Sequence, residues 1–163
     1  MKTKQVALTG LLIALALILS YLESLVPLSF AIPGIKLGLP NLVIVFALYR
    51  LRPSVAAAIS LLRVALVALL FGSALSLAYS AAGAALSFAV MLLLKKSGHF
   101  GCAGVSVAGA VAHNLGQILT AALLLETPSL AWYFPALCLS GTVAGVVIGL
   151  LAAALVKRIP ESE

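Results

Sequence analysis

Long apolar stretches alternate with short polar breaks along this chain. Six stretches can be drawn, at about residues 5–22, 39–49, 53–71, 73–94, 104–125 and 130–156. Five of them approach the ~20 consecutive apolar residues that a helix needs to cross a ~30 Å hydrocarbon core. The second is too short, and "LVPLSFAIPGIKLG" before it is broken by Pro27, Pro33 and Gly34, with Pro40 just beyond. This pattern predicts a short second helix preceded by an irregular loop that dips back towards the membrane. Irregular backbone at that depth must be covered by protein or line a wet cavity. The expected fold is all-α: a polytopic membrane protein, a bundle of six transmembrane helices forming a single domain over residues 1–163.

Composition strengthens this picture. Hydrophobic residues make up 64% of the chain and charged residues 9%, against roughly 25% charged in a soluble domain. Mean hydropathy is +1.26, and no hydrophilic block is long enough for a soluble domain. The net charge of +6 would suggest nucleic acid in a soluble protein. Here the cations sit between apolar blocks and read as topology signals, so no nucleic-acid partner is expected. Lys2, Lys4, Arg50, Arg52, Lys95, Lys96, Lys157 and Arg158 fall on one side of a six-helix model, and Lys36 alone on the other, with Glu23 and Glu126. That bias predicts cytoplasmic N- and C-termini. The N-terminus "MKTKQVALTGLLIALALILSYLES" is like a signal peptide, but its apolar run is long enough to span and is expected to stay as the first helix.

Small residues mark packing faces. Gly141, Gly145 and Gly149 form GxxxGxxxG in the sixth stretch; Ser73, Ser76, Ser80, Gly83 and Ser87 follow one face of the fourth; Ala7, Gly10 and Ala14 follow one face of the first. Such stripes let helix backbones approach closely. They serve packing within the bundle, docking of a partner, or a polar path. A fully packed six-helix protein does not need one on every helix, so one is available for a partner.

The inventory of reactive groups argues against catalysis. There is no aspartate; Glu161 and Glu163 lie in the tail, and Glu23 and Glu126 near helix ends. No paired carboxylates exist to hold Mg²⁺ on a diphosphate. No GxxxxGK[ST] or GxSxG motif occurs. Cys102 and Cys138 are isolated and read as small packing residues, not metal ligands. His99 sits beside Lys95 and Lys96 in a loop. The expectation is a protein with no enzymatic activity, no metal and no cofactor.

Recognition is better supported. Arg63, in "AISLLRVALVALL", lies ten residues from Pro53 and eight from Phe71, so more than about 10 Å from either end of its helix. An arginine there costs about 2.5–3.5 kcal/mol on insertion scales. It either pairs with a carboxylate (Glu23 or Glu126) or helix-end carbonyls, or it serves a site. In "GAVAHNLGQ", His113, Asn114 and Gln117 share one sector, since Gln117 is i+4 and i+3 from the other two. They are helix glue or one wall of a site. Lys36 and Asn41 lie in and after the outer loop, Tyr79 in the outer half of the fourth helix, and Trp132 and Tyr133 at the start of the sixth, where an aromatic belt is the ordinary role. Lys36, Arg63 and a nearly acid-free interior favour an anionic ligand entering from outside.

The segments "IPGIKLGLPNLVIVFALY", "SLLRV", "FGS" and "GVSVAGAVAHNLGQ" resemble the Gx transporter family of small bacterial membrane proteins, which often carries the name heptaprenyl diphosphate synthase component I. The resemblance covers nearly the whole chain, and the six-helix layout is similar to the S component of energy-coupling factor (ECF) transporters. It implies a multi-pass protein of the bacterial plasma membrane that captures a vitamin-like or isoprenoid-like molecule outside. It also implies two kinds of partner: a membrane coupling subunit and two cytoplasmic ATPases, towards which the S component topples. Ala7, Gly10 and Ala14 would match the docking face of that class. Its ligand site would fall on Lys36, Asn41, Tyr79, His113, Asn114, Gln117 and Trp132, with Arg63 outside the usual set. The synthase activity in the family's name needs acidic metal-binding motifs that this chain lacks. A membrane-embedded component associated with isoprenoid or quinone synthesis is the alternative function, and a self-assembling structural protein a third.

Overall fold

The computed structural model describes residues 3–26 and 37–159. Among the described residues every regular element is helical: α1 (Thr3–Leu25), α2 (Leu39–Arg50), α3 (Pro53–Phe71), α4 (Ala74–Ser97), α5 (Cys102–Leu124) and α6 (Phe134–Arg158), with a 3-10 helix over Pro128–Tyr133. The protein is an all-α bundle of membrane type. α1, α3, α4, α5 and the 3-10 segment joined to α6 are each long and apolar enough to cross a membrane.

Local chemistry sets the breaks. Gly38 adopts φ 73°, a left-handed turn that suits a residue without Cβ, and Pro40 follows in the first turn of α2. Pro53 holds Arg52 extended (φ −62°, ψ 140°), which ends one helix and opens the next. Ser73 caps α4 through a reciprocal pair of bonds with Ser76, at 2.9 and 3.2 Å. Gly98, at φ 73°, closes it. The sixth stretch begins differently from the expectation, because its first residues form the 3-10 helix. Pro135 has no N–H to donate to Ala131, so an α-helical ladder cannot run through from residue 130.

α2 has 12 residues, about 18 Å at 1.5 Å per residue, well short of a membrane core. It is buried instead. Val43, Ile44, Val45, Phe46, Ala47 and Leu48 are all in the core, covered mainly by α1, α3 and α6. A helix apolar on every face belongs in the centre of a structure. Its ends are tied to three other helices. Glu23 of α1 accepts the Gly38 N–H. Lys95 of α4 donates to the Leu48 carbonyl, and Arg50 donates to Val156 of α6. These last two bonds gather the C-terminal ends of α2, α4 and α6 at one basic end of the bundle. Glu23 and Glu126 lie at the opposite, acid-bearing end. Of the loop expected to dip back, 25–38, residues 27–36 lie outside the described residues.

Glycines bring α4, α5 and α6 into backbone contact. A Cβ on Gly116 of α5 would sit 2.8 Å from the Gly83 Cα of α4. On α6, a Cβ at Gly145 would meet the Val107 Cα at 2.6 Å, and one at Gly149 the Ala103 Cα at 2.5 Å. The GxxxGxxxG stripe is therefore consumed inside the bundle. The stripe of α1 is not: Ala7, Gly10 and Ala14 are exposed, and nothing lies within 4 Å of a Cβ at Gly10.

This contrast is testable by thermal unfolding in detergent. Gly145→Ala and Gly149→Ala should each cost about 1–3 kcal/mol through overpacking against backbone. For a chain of this size that lowers the melting temperature by about 2–4 °C per kcal/mol. Gly10→Ala should hold or raise it, since alanine favours helix and has room there.

Candidate functional site

A cavity of about 910 Å³ lies between α1 and α3 on one side and α4, α5 and α6 on the other. It reaches the helix ends at Ser24, Gly38, Ser73, Leu125 and Leu130, and it descends to Ser87, Gly109 and Ile148. From Phe134 to Ile148 that is about 21 Å along α6 at 1.5 Å per residue. Its volume falls in the ~300–1,000 Å³ range of small-molecule sites.

The cavity gathers most of the polar residues singled out in the sequence. Asn41, Arg63, Tyr79, His113, Asn114 and Gln117 all line it. Asn41 stands in the first turn of the buried α2, and Tyr79 about two turns into α4. Two residues are not brought there. Lys36 lies outside the described residues. Trp132 is 86% exposed on the 3-10 helix and does not line the cavity, whereas its neighbour Tyr133 does. The 3-10 turn points the two aromatic rings in different directions, a distinction that sequence spacing did not carry.

The polar sector of α5 does two jobs. Asn114 Nδ2 donates to the Leu137 carbonyl of α6 at 2.8 Å. Gln117 Nε2 donates to Ser80 Oγ of α4 at 3.4 Å, a long bond. Both residues therefore bridge helices and still face the cavity. Backbone contact with α4 holds this sector: a Cβ on Gly83 would meet the Gln117 Cγ at 2.7 Å and the His113 carbonyl oxygen at 2.8 Å. Glue and cavity wall, alternatives in the sequence, are here the same residues.

Arg63 is the cation that lines the cavity among the described residues. Its Nε is sealed from solvent and has no hydrogen-bond partner. Glu23, at the end of α1, lines the same cavity and is near enough to favour the charged guanidinium, but no direct ion pair joins the two among the described residues. The second candidate partner, Glu126, is exposed. Glu23 is thus the lining residue that sequence reading placed only as a possible counter-ion. Ser20 and Ser24, at i−3 and i+1 from it, complete the polar edge of α1. Their hydroxyls bond the carbonyls of Ala16 and Tyr21 on their own helix, at 2.8 and 2.7 Å. The 20/24 spacing was the available signal, since an i, i+4 serine pair sits on one face. Among the described residues no three of His, Cys, Asp and Glu gather as metal ligands.

A partly buried cation with no direct partner among the described residues makes a sharp stability forecast. Arg63→Met should leave the empty protein as stable or more so, by up to about 1–4 kcal/mol, as read from its melting temperature. A clear loss would instead mark Arg63 as one half of a structural pair.

No curated protein and no solved structure matches the chain. The sequence profile of the family described as heptaprenyl diphosphate synthase component I matches residues 12–155, a span that runs from α1 into the last turns of α6 and takes in every described wall of the cavity. This protein belongs to the heptaprenyl diphosphate synthase component I family.

Proposed function

We propose that the protein is the substrate-binding S component of an ECF-type importer, capturing a small anionic or amphipathic molecule, vitamin-like or isoprenoid-like, from outside the cell. The observation that carries this reading is the cavity, which reaches the helix ends at the acid-bearing end and holds Arg63 with no direct counter-ion among the described residues. An anionic group on the ligand would supply that counter-ion in a low-dielectric setting, where charge-assisted bonds are strong. Asn41, Tyr79, His113 and Gln117 would orient the rest of the molecule, and the apolar floor around Ala144 and Ile148 would take its less polar end.

The positive-inside bias supports an orientation with both termini in the cytoplasm of a bacterial plasma membrane, which would leave the cavity facing out. The chain has no ATP-binding motif and no catalytic constellation, which suits a subunit driven by partners. The exposed Ala7, Gly10 and Ala14 stripe of α1 is where a membrane coupling subunit, joined to two cytoplasmic ATPases, would seat. The family's name points to heptaprenyl diphosphate synthesis; under that second reading the same cavity would hold a prenyl chain for a soluble partner.

Native mass spectrometry of the purified chain should reveal a retained small molecule, lost or weakened at least tenfold in Arg63→Met. Gly10→Leu should leave that molecule bound but abolish co-purification with the coupling subunit and ATPases. A chain that stays empty across vitamins and prenyl phosphates, or one that yields product only with a soluble synthase partner, would overturn the transporter reading.

A further inference from the structure

A second groove, of about 310 Å³, runs between α1, α2 and the end of α6 and shares no lining residue with the large cavity. Leu11 and Leu15 of α1 and Leu155 of α6 form its rims, and Val43 and Phe46 of α2 its floor. The floor is sealed, at 2% and 8% exposure, while Leu11 is 65% exposed. Arg50 lies at one end. From Leu42 to Arg50 the groove extends about 12 Å at 1.5 Å per residue.

The groove is apolar along its length and cationic at its end. Arg50 sits in the last turn of α2, Arg52 just beyond it, and Lys157 and Arg158 in the last turn of α6. The acids Glu23 and Glu126 are at the other end of the bundle. Glu161 and Glu163 of the tail leave the sequence balance at this end positive. Arg50 already donates to the Val156 carbonyl. The flanking Arg52, Lys157 and Arg158 are exposed, and cations at that level suit an anionic headgroup.

We propose that this groove holds one acyl chain of an anionic glycerophospholipid, with the headgroup phosphate among the cations Arg52, Lys157 and Arg158 that flank its basic end. The order of the site, apolar along the membrane depth and basic at its end, is the order of such a lipid. A protein helix is about 10–12 Å across and does not fit a space of this volume. Helix docking also favours small residues, and the small stripe of α1 lies roughly a third of a turn around that helix from the groove leucines.

The test uses the full chain in detergent and native mass spectrometry with dioleoyl phosphatidylglycerol or dioleoyl phosphatidylcholine at equal concentration. Phosphatidylglycerol should be retained at least ~tenfold over phosphatidylcholine, as expected for several cations near one headgroup. Leu11→Trp, which fills the groove from an exposed rim without touching a charge, should remove that retention while the melting temperature holds. Arg52→Gln with Lys157→Gln and Arg158→Gln should bring the two lipids close to parity. Equal retention by the original chain overturns the proposal. So does phosphatidylglycerol binding that survives Leu11→Trp, including the case in which that variant instead loses a protein partner.

Discussion

A helix too short to cross a membrane must have its ends satisfied by the protein, because no water is present at that depth to do so. α2 is such a helix. The Gly38 N–H goes to the Glu23 carboxylate, the Leu48 carbonyl to Lys95, and the cation at its C-terminus, Arg50, to a carbonyl of α6. Each tie joins α2 to a different helix, so the three bonds fix the relative heights of α1, α4 and α6. An exposed α2 would leave polar backbone in hydrocarbon, at several kcal/mol per group. The buried run from Val43 to Leu48 is the packing counterpart of the same constraint.

Around this centre the bundle is packed unevenly. Gly83, Gly116, Gly145 and Gly149 let α4, α5 and α6 touch through their backbones, which makes that half dense and fixes the direction of His113, Asn114 and Gln117. The other half, α1 and α3, meets it less closely at the acid-bearing end, and the large cavity is the space between. Polar residues are tolerated there because they face the cavity or one another and not lipid. Asn114 shows how both demands fit one side chain: its amide holds α6 while the residue lines the wall.

The two charged ends serve different purposes. At the basic end, cations cap helix C-termini, where the aligned peptide dipoles favour them. At the other end Glu23 fastens α2 and also lines the cavity that holds Arg63. The arginine is the costly member of the set. A charge set so deep, with no direct partner among the described residues, is the observation on which the proposed binding role of the cavity rests.

Much of the fold was legible in the sequence. Hydropathy marked six helices, and Pro53 and Ser73 set boundaries close to those observed, because a missing N–H or a capping hydroxyl acts locally. The intramembrane Arg63 and the polar sector of α5 were conspicuous for the same reason: each is an energetic exception in its own segment. What one segment cannot reveal is which neighbour it meets. The sequence alone did not separate the glycine stripe consumed between α5 and α6 from the stripe left exposed on α1. Nor did it choose Glu23 over Glu126 as the acid that lines the cavity with Arg63, or show that Tyr133 and not Trp132 turns to the cavity. Those outcomes depend on helix heights and rotations. These follow from burying α2 and tying its ends, a condition on the whole bundle that only the tertiary structure expresses.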